Sequence, residues 1–509
     1  MLQNIVSRIL SFSRCRKANI AILFGLSLIP IALAVGIATD YGSALAVRSR
    51  MVDAADAAAL AVGSWPDLNE AQLKQKAQQF FDANYPSSAL GTAGKINVSV
   101  LDDDIKVDVS GVVPTSFMRL VNISNINVGA STVVTRRQRN IELALVLDTT
   151  GSMNSSGKMA SMQSAAKKMV QDLFGGKETS DSLKVAVVPF AAAVNVGEDK
   201  KKEDWIDGKA KSDVSYEDFD SRARVFKLLK NMKGNQKWSG CVRERDGGEY
   251  ELTDATPSSR DADSLFAPYF APDEPDSDHD DGDNYENSYI DDGDCGESKS
   301  SKRDADTCQR YTGKYEDASS NSSSKGPDWN CPPRAITELT NKQGPVVSAI
   351  EQLQPKGNTV IPAGLLWGWR VLSPTEPFTE GKPYNDEEWI KAIVLLTDGE
   401  NSISGWSTSG NHNKSSYSAF GYASEGHMGS GYDPEGSLNS KTQTVCNNIK
   451  AKGILIYTIG FRVDDDTTKA LLKSCATKAD MYFNSPSNSQ LAGIFSDIAQ
   501  GLSELRVAQ

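Results

Sequence analysis

Five oxygen-bearing side chains stand in three loops, each next to a predicted strand or helix. They are Asp148, Thr150, Ser152, Thr359 and Asp398. Asp148 and Asp398 each follow an apolar run directly, whereas Thr359 lies in a loop just before a predicted helix. In doubly wound sheets, ligands bind beyond the carboxyl ends of the parallel strands. We therefore expect the five side chains to meet at one edge of such a sheet.

The chemistry of these side chains fits a magnesium-type site. They offer hard oxygen atoms, with no sulfur and no imidazole, and Mg²⁺ prefers such ligands in octahedral geometry. Neutral hydroxyl groups coordinate without adding negative charge, so the metal attracts an acidic group from outside the protein. The alternative is that Asp148 only caps the helix that follows and that the hydroxyl groups satisfy loop amides. The order of the three loops along the chain favours the metal site.

Alternating strands and helices from residue 141 onward predict the sheet that positions these loops. Nearly continuous apolar runs, typical of central parallel strands covered on both faces, occur at 141–147, 183–190, 392–397 and 454–460. Helical patterns occur at 158–174, 343–353, 362–372, 438–451, 466–475 and 487–505. The predicted fold class is α/β, with a Rossmann-like, doubly wound, mostly parallel sheet.

A polar insertion at about 198–335 interrupts this pattern. It carries four of the cysteines and few apolar runs, and it is too long for a plain loop. The carboxylates of its acidic stretch at 273–294 do not match the spacing of an EF-hand. We expect that stretch to form a solvated, partly disordered face, and a calcium site is the alternative.

A second long segment, 401–436, leaves the sheet at the edge of the metal site. It is rich in glycine and serine, with interspersed aromatic residues at Trp406, Tyr417, Phe420, Tyr422 and Tyr432. Binding residues concentrate on loops held by a rigid scaffold, and Tyr and Trp are favoured interface anchors. We expect these aromatic side chains to contact a partner, and a flexible spacer is the alternative.

The N-terminal part has the pattern of a membrane anchor. Basic residues at Arg8, Arg14, Arg16 and Lys17 precede an uncharged apolar stretch at 18–39. As a helix this stretch spans about 33 Å, which is enough to cross a bilayer. The positive-inside rule then places residues 1–17 in the cytoplasm and the chain after 18–39 outside it. The alternative is a signal peptide that is cleaved within the apolar stretch.

Beyond the apolar stretch, the pattern predicts a small domain at 40–137. An alanine-rich helical stretch at 40–63 and a second helix at 66–83 precede alternating β patterns between 95 and 136. The run of three aspartates at 102–104 marks the turn of a hairpin. A long hydrophobic helix backed by a small antiparallel sheet is a pilin-like α+β layout, so this domain is predicted to be a stalk.

The cysteines agree with an oxidising location for most of the chain. Cys15 precedes the apolar stretch, and six cysteines follow it, at Cys241, Cys295, Cys308, Cys331, Cys446 and Cys475. Six thiols in such a compartment predict up to three disulfides, whose pairing the sequence leaves open. Cys446 and Cys475 lie on predicted helices that flank one strand, so a bridge between them is expected if the helices share a face.

Composition and motifs exclude several classes of function. The net charge of −12 disfavours binding to nucleic acid. The sequence contains no G-x-S-x-G elbow and no phosphate-binding G-x-x-x-x-G-K loop, and His279, His412 and His427 are not spaced as ligands. A non-enzymatic protein is therefore expected, with a metal-dependent hydrolase as the alternative.

These motifs resemble known families. The segments "DTTGS" at 148–152, "GNT" at 357–359 and "LLTDG" at 395–399 resemble the metal-ion-dependent adhesion site of von Willebrand factor type A domains. The N-terminal anchor, with "DAADAAALA" at 53–61, resembles TadG-like proteins of the tight-adherence (Flp) pilus system, as do "WSGCVRER" and "GLLWGWRVLSP". The first resemblance covers about 141–506, and together the two cover nearly the whole chain.

The resemblance implies a type A domain at 138–506 that binds Mg²⁺ or Mn²⁺, with an acidic residue of a protein partner completing the metal shell. Thr150 replaces the serine common in the motif and keeps the hydroxyl group. Ala18 is followed five residues later by Leu23, where prepilin peptidase sites normally have Glu, so incorporation as a pilin subunit is not expected.

The function implied is that of a single-pass protein of the bacterial inner membrane whose large C-terminal part lies in the periplasm. It would act in pilus assembly or surface adhesion, together with other Tad pilus components. An anchored structural protein, whose metal only stabilises the fold, is a further alternative.

Overall fold

The computed structural model describes residues 16–63, 70–86, 91–101, 104–135, 139–276, 285–292, 302–322, 324–403, 411–429 and 432–507. The chain forms two compact units, one of Met1–Gln138 with Val507–Gln509 and the other of Arg139–Arg506. Several residues considered above lie outside the described ranges, namely Arg8, Arg14, Cys15, His279, Cys295 and Trp406.

Two helices and four strands form the first unit. The helices are α1 (Arg16–Gly63) and α2 (Glu70–Asn84), and the strands are β1 (Thr92–Ala93), β2 (Asn97–Leu101), β3 (Asp104–Pro114) and β4 (Asn125–Thr135). Helix α1 runs without interruption from the apolar stretch into the alanine-rich stretch. Strand β3 pairs antiparallel with each of the other three strands. The predicted hairpin is therefore confirmed as the β2–β3 pair.

The two halves of α1 have different surroundings. In the alanine-rich half, Ala55, Ala58 and Ala59 are fully buried in a core that they share with Ile105 and Val107 of β3. Small side chains allow the helix to approach the sheet closely. In the apolar half, between residues 20 and 37, most of the large side chains are exposed, and the helix is long and apolar enough to cross a membrane.

The second unit alternates strands and helices around one mostly parallel sheet. Its strands are β5 (Asn140–Asp148), β6 (Leu183–Phe190), β7 (Val194–Asn195), β8 (Cys241–Val242), β9 (Thr337–Thr340), β10 (Trp389–Thr397), β11 (Leu455–Phe461) and β12 (Tyr482–Ser485). Its helices are α3 (Lys158–Phe174), α4 (Val225–Asn231), α5 (Lys302–Arg310), α6 (Gln343–Glu351), α7 (Ile361–Arg370), α8 (Pro434–Ala451), α9 (Asp466–Cys475) and α10 (Asn488–Val507).

The strand order places β5 and β10 side by side at the middle of the sheet. The order is β12-β11-β10-β5-β6-β7-β8, and β9 also pairs with β6. The five strands from β12 to β6 are parallel, and β7, β8 and β9 add antiparallel pairs. The chain leaves β5 toward β6 on one side and later returns to β10 on the other side. Loops diverge at such a switch point and leave a crevice between the two strands.

Both faces of the sheet are covered, which explains the nearly continuous apolar runs. On one face, Leu143 and Leu145 of β5 belong to a buried cluster with residues of α3, α6 and α10. On the other face, Ala144 and Val146 belong to a cluster with residues of α7, α8 and α9. The predicted mixed α/β fold with a mostly parallel sheet is confirmed. The short strands β7, β8, β9 and β12 were not predicted, because they lack a long apolar run.

The insertion contributes to the core of the second unit, although its polar composition predicts a largely exposed segment. It contributes strand β8 to the sheet, and its aromatic side chains Trp205, Phe266 and Tyr269 are buried in the same cluster as α7. Trp205 and Phe266 both contact Trp367 of α7, at ring-centroid distances of 6.4 and 4.9 Å. The apolar residues of the insertion occur in short groups, such as 265–272, between long polar stretches, so they form a core only after the chain has folded back onto the sheet.

The expectation of a solvated acidic face is wrong for the described part of 273–294. Asp273 and Asp292 are buried, and Lys314 Nζ lies 2.9 Å from a carboxylate oxygen of each. The Tyr289 and Ile290 amides also donate to Asp273 Oδ1, at 2.6 and 2.8 Å. These partners satisfy the charges without solvent. Residues 277–284 and 293–294 lie outside the described ranges.

Disulfides tie the elements of the second unit together. The predicted bridge between Cys446 and Cys475 is confirmed, and it links α8 to the last residue of α9. A second bridge joins Cys241 of β8 to Cys331. Cys308 is also disulfide-bonded. The sequence could not assign the last two pairings, because they depend on the path of the insertion.

Glu274 provides a pH test of how the insertion is buried. Burial raises the pKa of Glu274 to about 7, although the Asn287 amide and the Tyr422 hydroxyl donate hydrogen bonds to its carboxylate. The folded protein therefore holds this proton at pH values where the unfolded chain has lost it. Its contribution to stability is present below about pH 4.5 and is lost as the pH rises through about 7.

We expect the Glu274→Gln variant to exceed the parent in free energy of unfolding by about 1–3 kcal/mol at pH 8, and by less than about 0.5 kcal/mol at pH 4.5. Urea unfolding of the full chain, followed by tryptophan fluorescence, measures the difference at each pH. The exposed Glu316→Gln substitution is the control and should show no such pH-dependent difference. Parallel stability curves for the parent and Glu274→Gln would show that Glu274 is not buried as described.

Candidate metal centre

A chain of hydrogen bonds joins four of the five predicted ligands. Thr150 Oγ1 donates to Asp148 Oδ1 at 2.6 Å and lies 3.0 Å from Ser152 Oγ. Ser152 Oγ donates to Asp398 Oδ1 at 2.6 Å. Asp148 ends β5 and Asp398 follows β10, so the switch point of the sheet brings the two carboxylates together across 250 residues of sequence.

Asp148 lies beneath the other ligands and is fixed from several directions. Its side chain is fully buried, and the Thr150 amide donates to Oδ1 at 2.8 Å. Thr397, the last residue of β10, donates from Oγ1 to Asp148 Oδ2 at 2.7 Å. These donors leave the carboxylate a single orientation, in which it faces the loops above the sheet edge.

Thr359 reaches the same edge on a loop that precedes α7. The Gly151 amide donates to the Gly357 carbonyl at 2.8 Å, and the backbones of Thr359 and Ser402 exchange hydrogen bonds of 3.0 and 2.9 Å. Gly357 has a φ of +83°, and a Cβ atom there would lie 2.8 Å from the Asn330 carbonyl oxygen, so only glycine fits. The loop is therefore held against both of the other ligand loops.

An open cleft of about 510 Å³ lies over these loops. Thr150, Ser152, Thr359 and Asp398 all line the cleft. Its rim carries further charged residues, namely Glu400, Arg462, Asp464 and Asp465. Asp148 is fully buried and is not among the residues that line the cleft. The structure thus brings all five predicted residues to one edge, and four of them line the cleft.

The two carboxylates repel each other at this edge, so a positive charge nearby stabilises their ionised forms. Burial, followed by the charge of Asp398, raises the pKa of Asp148 to about 6. Lys158 at the start of α3 supplies one positive charge, since its Nζ lies 2.8 Å from Asp398 Oδ2. The remaining donors are hydroxyl oxygens. Two carboxylates and three hydroxyl groups around an open cleft fit a hard divalent cation such as Mg²⁺ or Mn²⁺.

Lys158 and Thr397 are the functional residues that the sequence reasoning missed. Thr397 belongs to the quoted motif "LLTDG", yet its contact with Asp148 depends on the pairing of β5 with β10. Lys158 is the first residue of a predicted helix, and nothing local distinguishes it from a solvated lysine. A positive charge placed soon after the first ligand loop is the one signal that could have identified it.

The prediction that aromatic residues of 401–436 anchor a partner is wrong for three of the five. Tyr417, Phe420 and Tyr422 are buried in the core of the second unit. Tyr432 is exposed, and Trp406 lies outside the described residues. Two of these residues contact the insertion: Tyr417 packs against Tyr269 at a ring-centroid distance of 5.0 Å, and the Tyr422 hydroxyl donates to Glu274.

A buried arginine fixes this contact between the insertion and the loop. Arg243 Nη1 donates to Asp218 Oδ2 at 2.9 Å, and Nη2 contacts Glu217 and Glu425 at 2.6 and 3.2 Å. Burial opposes ionisation of Glu217, but Arg243 and then His427 outweigh it and lower the pKa of Glu217 to about 2. Because Arg243 already supplies the positive charge, this cluster is a structural ion network.

Both described histidines, His412 and His427, contact nearby polar side chains. His427 Nε2 lies 2.8 Å from Glu217 Oε1, and His427 Nδ1 lies 3.2 Å from Asp246 Oδ2. His412 Nδ1 lies 2.6 Å from the Tyr285 hydroxyl. Neither histidine is among the residues that line the cleft.

The N-terminal helix matches a known protein family. Residues 18–65 match the Tad family, described as Flp pilus-assembly TadE/G-like. This match covers the whole of the apolar stretch and of the alanine-rich stretch. A search of curated protein sequences gives no match to the chain.

Several solved structures resemble the chain weakly. The vWF domain of the type V pili tip protein Mfa5 from Porphyromonas gingivalis is 10% identical, over 73% of this chain and 97% of that chain, with a TM-score of 0.35. The pilus adhesin SpaC from Lactobacillus rhamnosus GG is 11% identical, over 80% of this chain and 34% of that chain, with a TM-score of 0.34.

Proximal thread matrix protein 1 from the mussel byssus, with a zinc-occupied MIDAS motif, is 14% identical. The match covers 73% of this chain and 47% of that chain, with a TM-score of 0.30. The chain therefore spans about a third of SpaC and about half of the byssus protein. At these TM-scores the overall likeness assigns the chain to none of these proteins' families.

We expect the affinity for Mg²⁺ to rise with pH up to about 6 and to level off above it. The pKa of Asp148 is raised to about 6, so below that pH the proton must leave before the carboxylate can bind the ion. Isothermal titration calorimetry of the full chain in detergent, at about pH 5, 6 and 7.5, measures the affinity.

Two variants separate the assigned ligands from other carboxylates of the cleft. Asp148→Asn should lower the Mg²⁺ affinity about tenfold or more at pH 7.5, because a charged ligand is lost. Asp464→Asn removes an exposed carboxylate from the rim of the same cleft and should change the affinity less than about threefold. Equal losses in the two variants, or a pH-independent affinity in the parent, would contradict the ligand set.

Proposed function

We propose that this chain is a membrane-anchored, non-enzymatic envelope protein of a Flp/Tad pilus system. It binds a protein partner through a divalent cation, Mg²⁺ or Mn²⁺, held by Asp148, Thr150, Ser152, Thr359 and Asp398. An acidic residue of the partner completes the metal shell. The protein acts in pilus assembly or in surface adhesion, with other Tad pilus components among its partners and no role for nucleic acid.

The observation that carries this proposal is the open cleft over an all-oxygen cluster. Four of the five ligands line it, and the hydroxyl groups of three of the five add no negative charge. A cation held by only two carboxylates stays electron-poor, so it favours one more anionic oxygen from outside. A carboxylate on a protein surface supplies that oxygen, and the cleft is open enough to admit it.

The N-terminal helix supports the placement in the cell. The Tad match covers residues 18–65, and the apolar half of α1 exposes most of its large side chains. We assign residues 18–39 to a single span of the inner membrane, residues 1–17 to the cytoplasm and the rest of the chain to the periplasm. The disulfides of the second unit agree with an oxidising compartment.

On this proposal the chain has two working parts. Residues 40–137 form the stalk, and residues 138–506 form a von Willebrand factor type A domain with an insertion at about 198–335. The insertion belongs to the core and is not a separate module, because its aromatic residues are buried in the same cluster as α7.

A metal-dependent hydrolase is the second candidate, since a bound cation also polarises water. The described residues that line the cleft include no histidine and no cysteine. Binding of a partner requires only the metal ligands and the open cleft. Hydrolysis would also require a general base held at a metal-bound water, and among the lining residues a rim carboxylate such as Glu400 or Asp464 would have to serve.

We expect capture of Tad pilus components by the full chain to require a divalent cation. The immobilised protein should retain its partner in Mg²⁺ and release it in EDTA, and Asp398→Asn should reduce capture about tenfold or more because it removes one metal ligand. Asp464→Asn, at the rim of the same cleft, is the matched control and should capture as the parent does. Quantitative immunoblotting of the retained components measures the effect.

The outcomes separate the three candidate functions. Capture that survives both EDTA and Asp398→Asn, with a thermal midpoint that falls in EDTA, would mean that the metal only stabilises the fold. Metal-dependent cleavage of the captured component would mean that the protein is a hydrolase. Circular dichroism of both variants shows whether a loss of capture reflects unfolding.

A further inference from the structure

The loop that joins β3 to β4 in the first unit exposes a compact set of apolar side chains. We call residues 115–124 the tip loop. Phe117, Leu120, Val121 and Ile123 are 46%, 78%, 46% and 43% exposed. Arg119 is the single charged residue of the tip loop. Four large apolar side chains exposed within seven residues form a patch of the kind that marks an interaction site.

Asp40 of α1 holds the tip loop in place. Its carboxylate accepts hydrogen bonds from the backbone amides of Ser116, Phe117 and Met118, at 3.0, 2.8 and 2.7 Å. Asp40 is itself 6% exposed. A buried carboxylate with three charge-assisted backbone hydrogen bonds is a strong and directional contact. The tip loop is therefore fixed to the side of α1 and is not a free excursion.

A second contact places the tip loop along the apolar stretch. A Cβ atom at Gly36 would lie 2.5 Å from Phe117 Cβ, so Phe117 packs directly on the bare helix backbone there. Gly36 and Asp40 are four residues apart and share one face of α1. Gly36 belongs to the uncharged stretch 18–39, and Asp40 is the first charged residue after it.

These two contacts set how deep the tip loop lies relative to the membrane surface. Residues 18–39 as a helix match the thickness of a hydrocarbon core, so Asp40 marks the membrane surface. Gly36 then lies about 6 Å inside that surface, four residues at 1.5 Å each. Side chains of the tip loop at that depth face acyl chains, and Arg119 is within reach of lipid phosphates. The exposed Tyr41 stands at the same boundary, where aromatic residues are favoured.

We propose that the tip loop is a second membrane contact of this protein. Phe117, Leu120, Val121 and Ile123 insert into the outer leaflet of the bilayer that α1 crosses. The inference rests on the proposed single-pass anchor. With two points of attachment, the first unit is held at one angle to the membrane and cannot pivot freely about α1.

A fluorescent probe at Leu120 tests the proposal. The full chain, with Cys15→Ser and Leu120→Cys, is labelled with an environment-sensitive dye and reconstituted into vesicles of phosphatidylethanolamine and phosphatidylglycerol. Lipids that carry a nitroxide near the head of the acyl chain should quench this probe about twofold or more. The same probe at Val133, which is exposed on β4 near the far end of the same hairpin, should not be quenched.

A pair of glycine variants tests whether the contact with α1 sets this depth. Gly36→Leu puts a side chain where Phe117 packs, so quenching at position 120 should fall by about half or more. Gly42→Leu is the matched control on the same helix. A Cβ atom at Gly42 meets nothing within 4 Å, so quenching should be unchanged.

A third probe, at Ile31 in the apolar stretch, separates this proposal from the anchor itself. Quenching at 31 but not at 120 would leave the anchor intact and refute the membrane contact of the tip loop. A probe at 120 that reports an apolar environment but is not quenched would mean that protein covers the loop, which also refutes the proposal. Absence of quenching at both 31 and 120 would refute the anchor and the tip-loop contact together.

Discussion

Two carboxylates buried at one sheet edge are the constraint on which the organisation of the second unit depends. Asp148 and Asp398 meet because β5 and β10 are adjacent and parallel, although the chain between them is long. Their like charges and their burial are unfavourable, and hydroxyl donors with one lysine ammonium offset them only in part. An additional positive charge at this edge would offset the remaining repulsion, and the cation of the proposed function would supply it. Hydroxyl groups suit such loops because they can coordinate a cation and also donate to a carboxylate.

The same unit buries a second set of charges in a different way. Around Arg243, the positive charge comes from the chain itself and three carboxylates surround it. Around Lys314, one ammonium group serves Asp273 and Asp292. The Arg243 cluster joins the insertion to the loop at 401–436 through Glu425, and the Lys314 cluster lies within the insertion. The cluster at Asp148 instead lies next to an open cleft. The difference between a structural ion network and a candidate metal site thus lies in where the compensating charge comes from.

In the first unit, a carboxylate has a third role, which is to fix a loop to a helix. Asp40 uses both oxygen atoms to accept backbone amides of the tip loop, and Gly36 provides a surface without a side chain for Phe117. Neither contact is visible in local sequence patterns, since one aspartate after an apolar stretch is an ordinary boundary residue. Together they turn the end of an antiparallel hairpin into an apolar surface beside the helix.

The sequence by itself determined the elements whose signals are local. Apolar runs identified β5, β6, β10 and β11, and helical periodicity identified the flanking helices. The loops after two strands and the loop before one helix supplied all five candidate ligands. It failed where a residue's environment depends on a partner far along the chain. Asp273 and Glu274 look solvated until Lys314 and Tyr422 are placed beside them, and Tyr417 looks like an interface residue until Arg243 and Tyr269 cover it. Only the tertiary structure decides such cases, because the free energy of burying a charge or an aromatic ring depends on the groups that replace water around it.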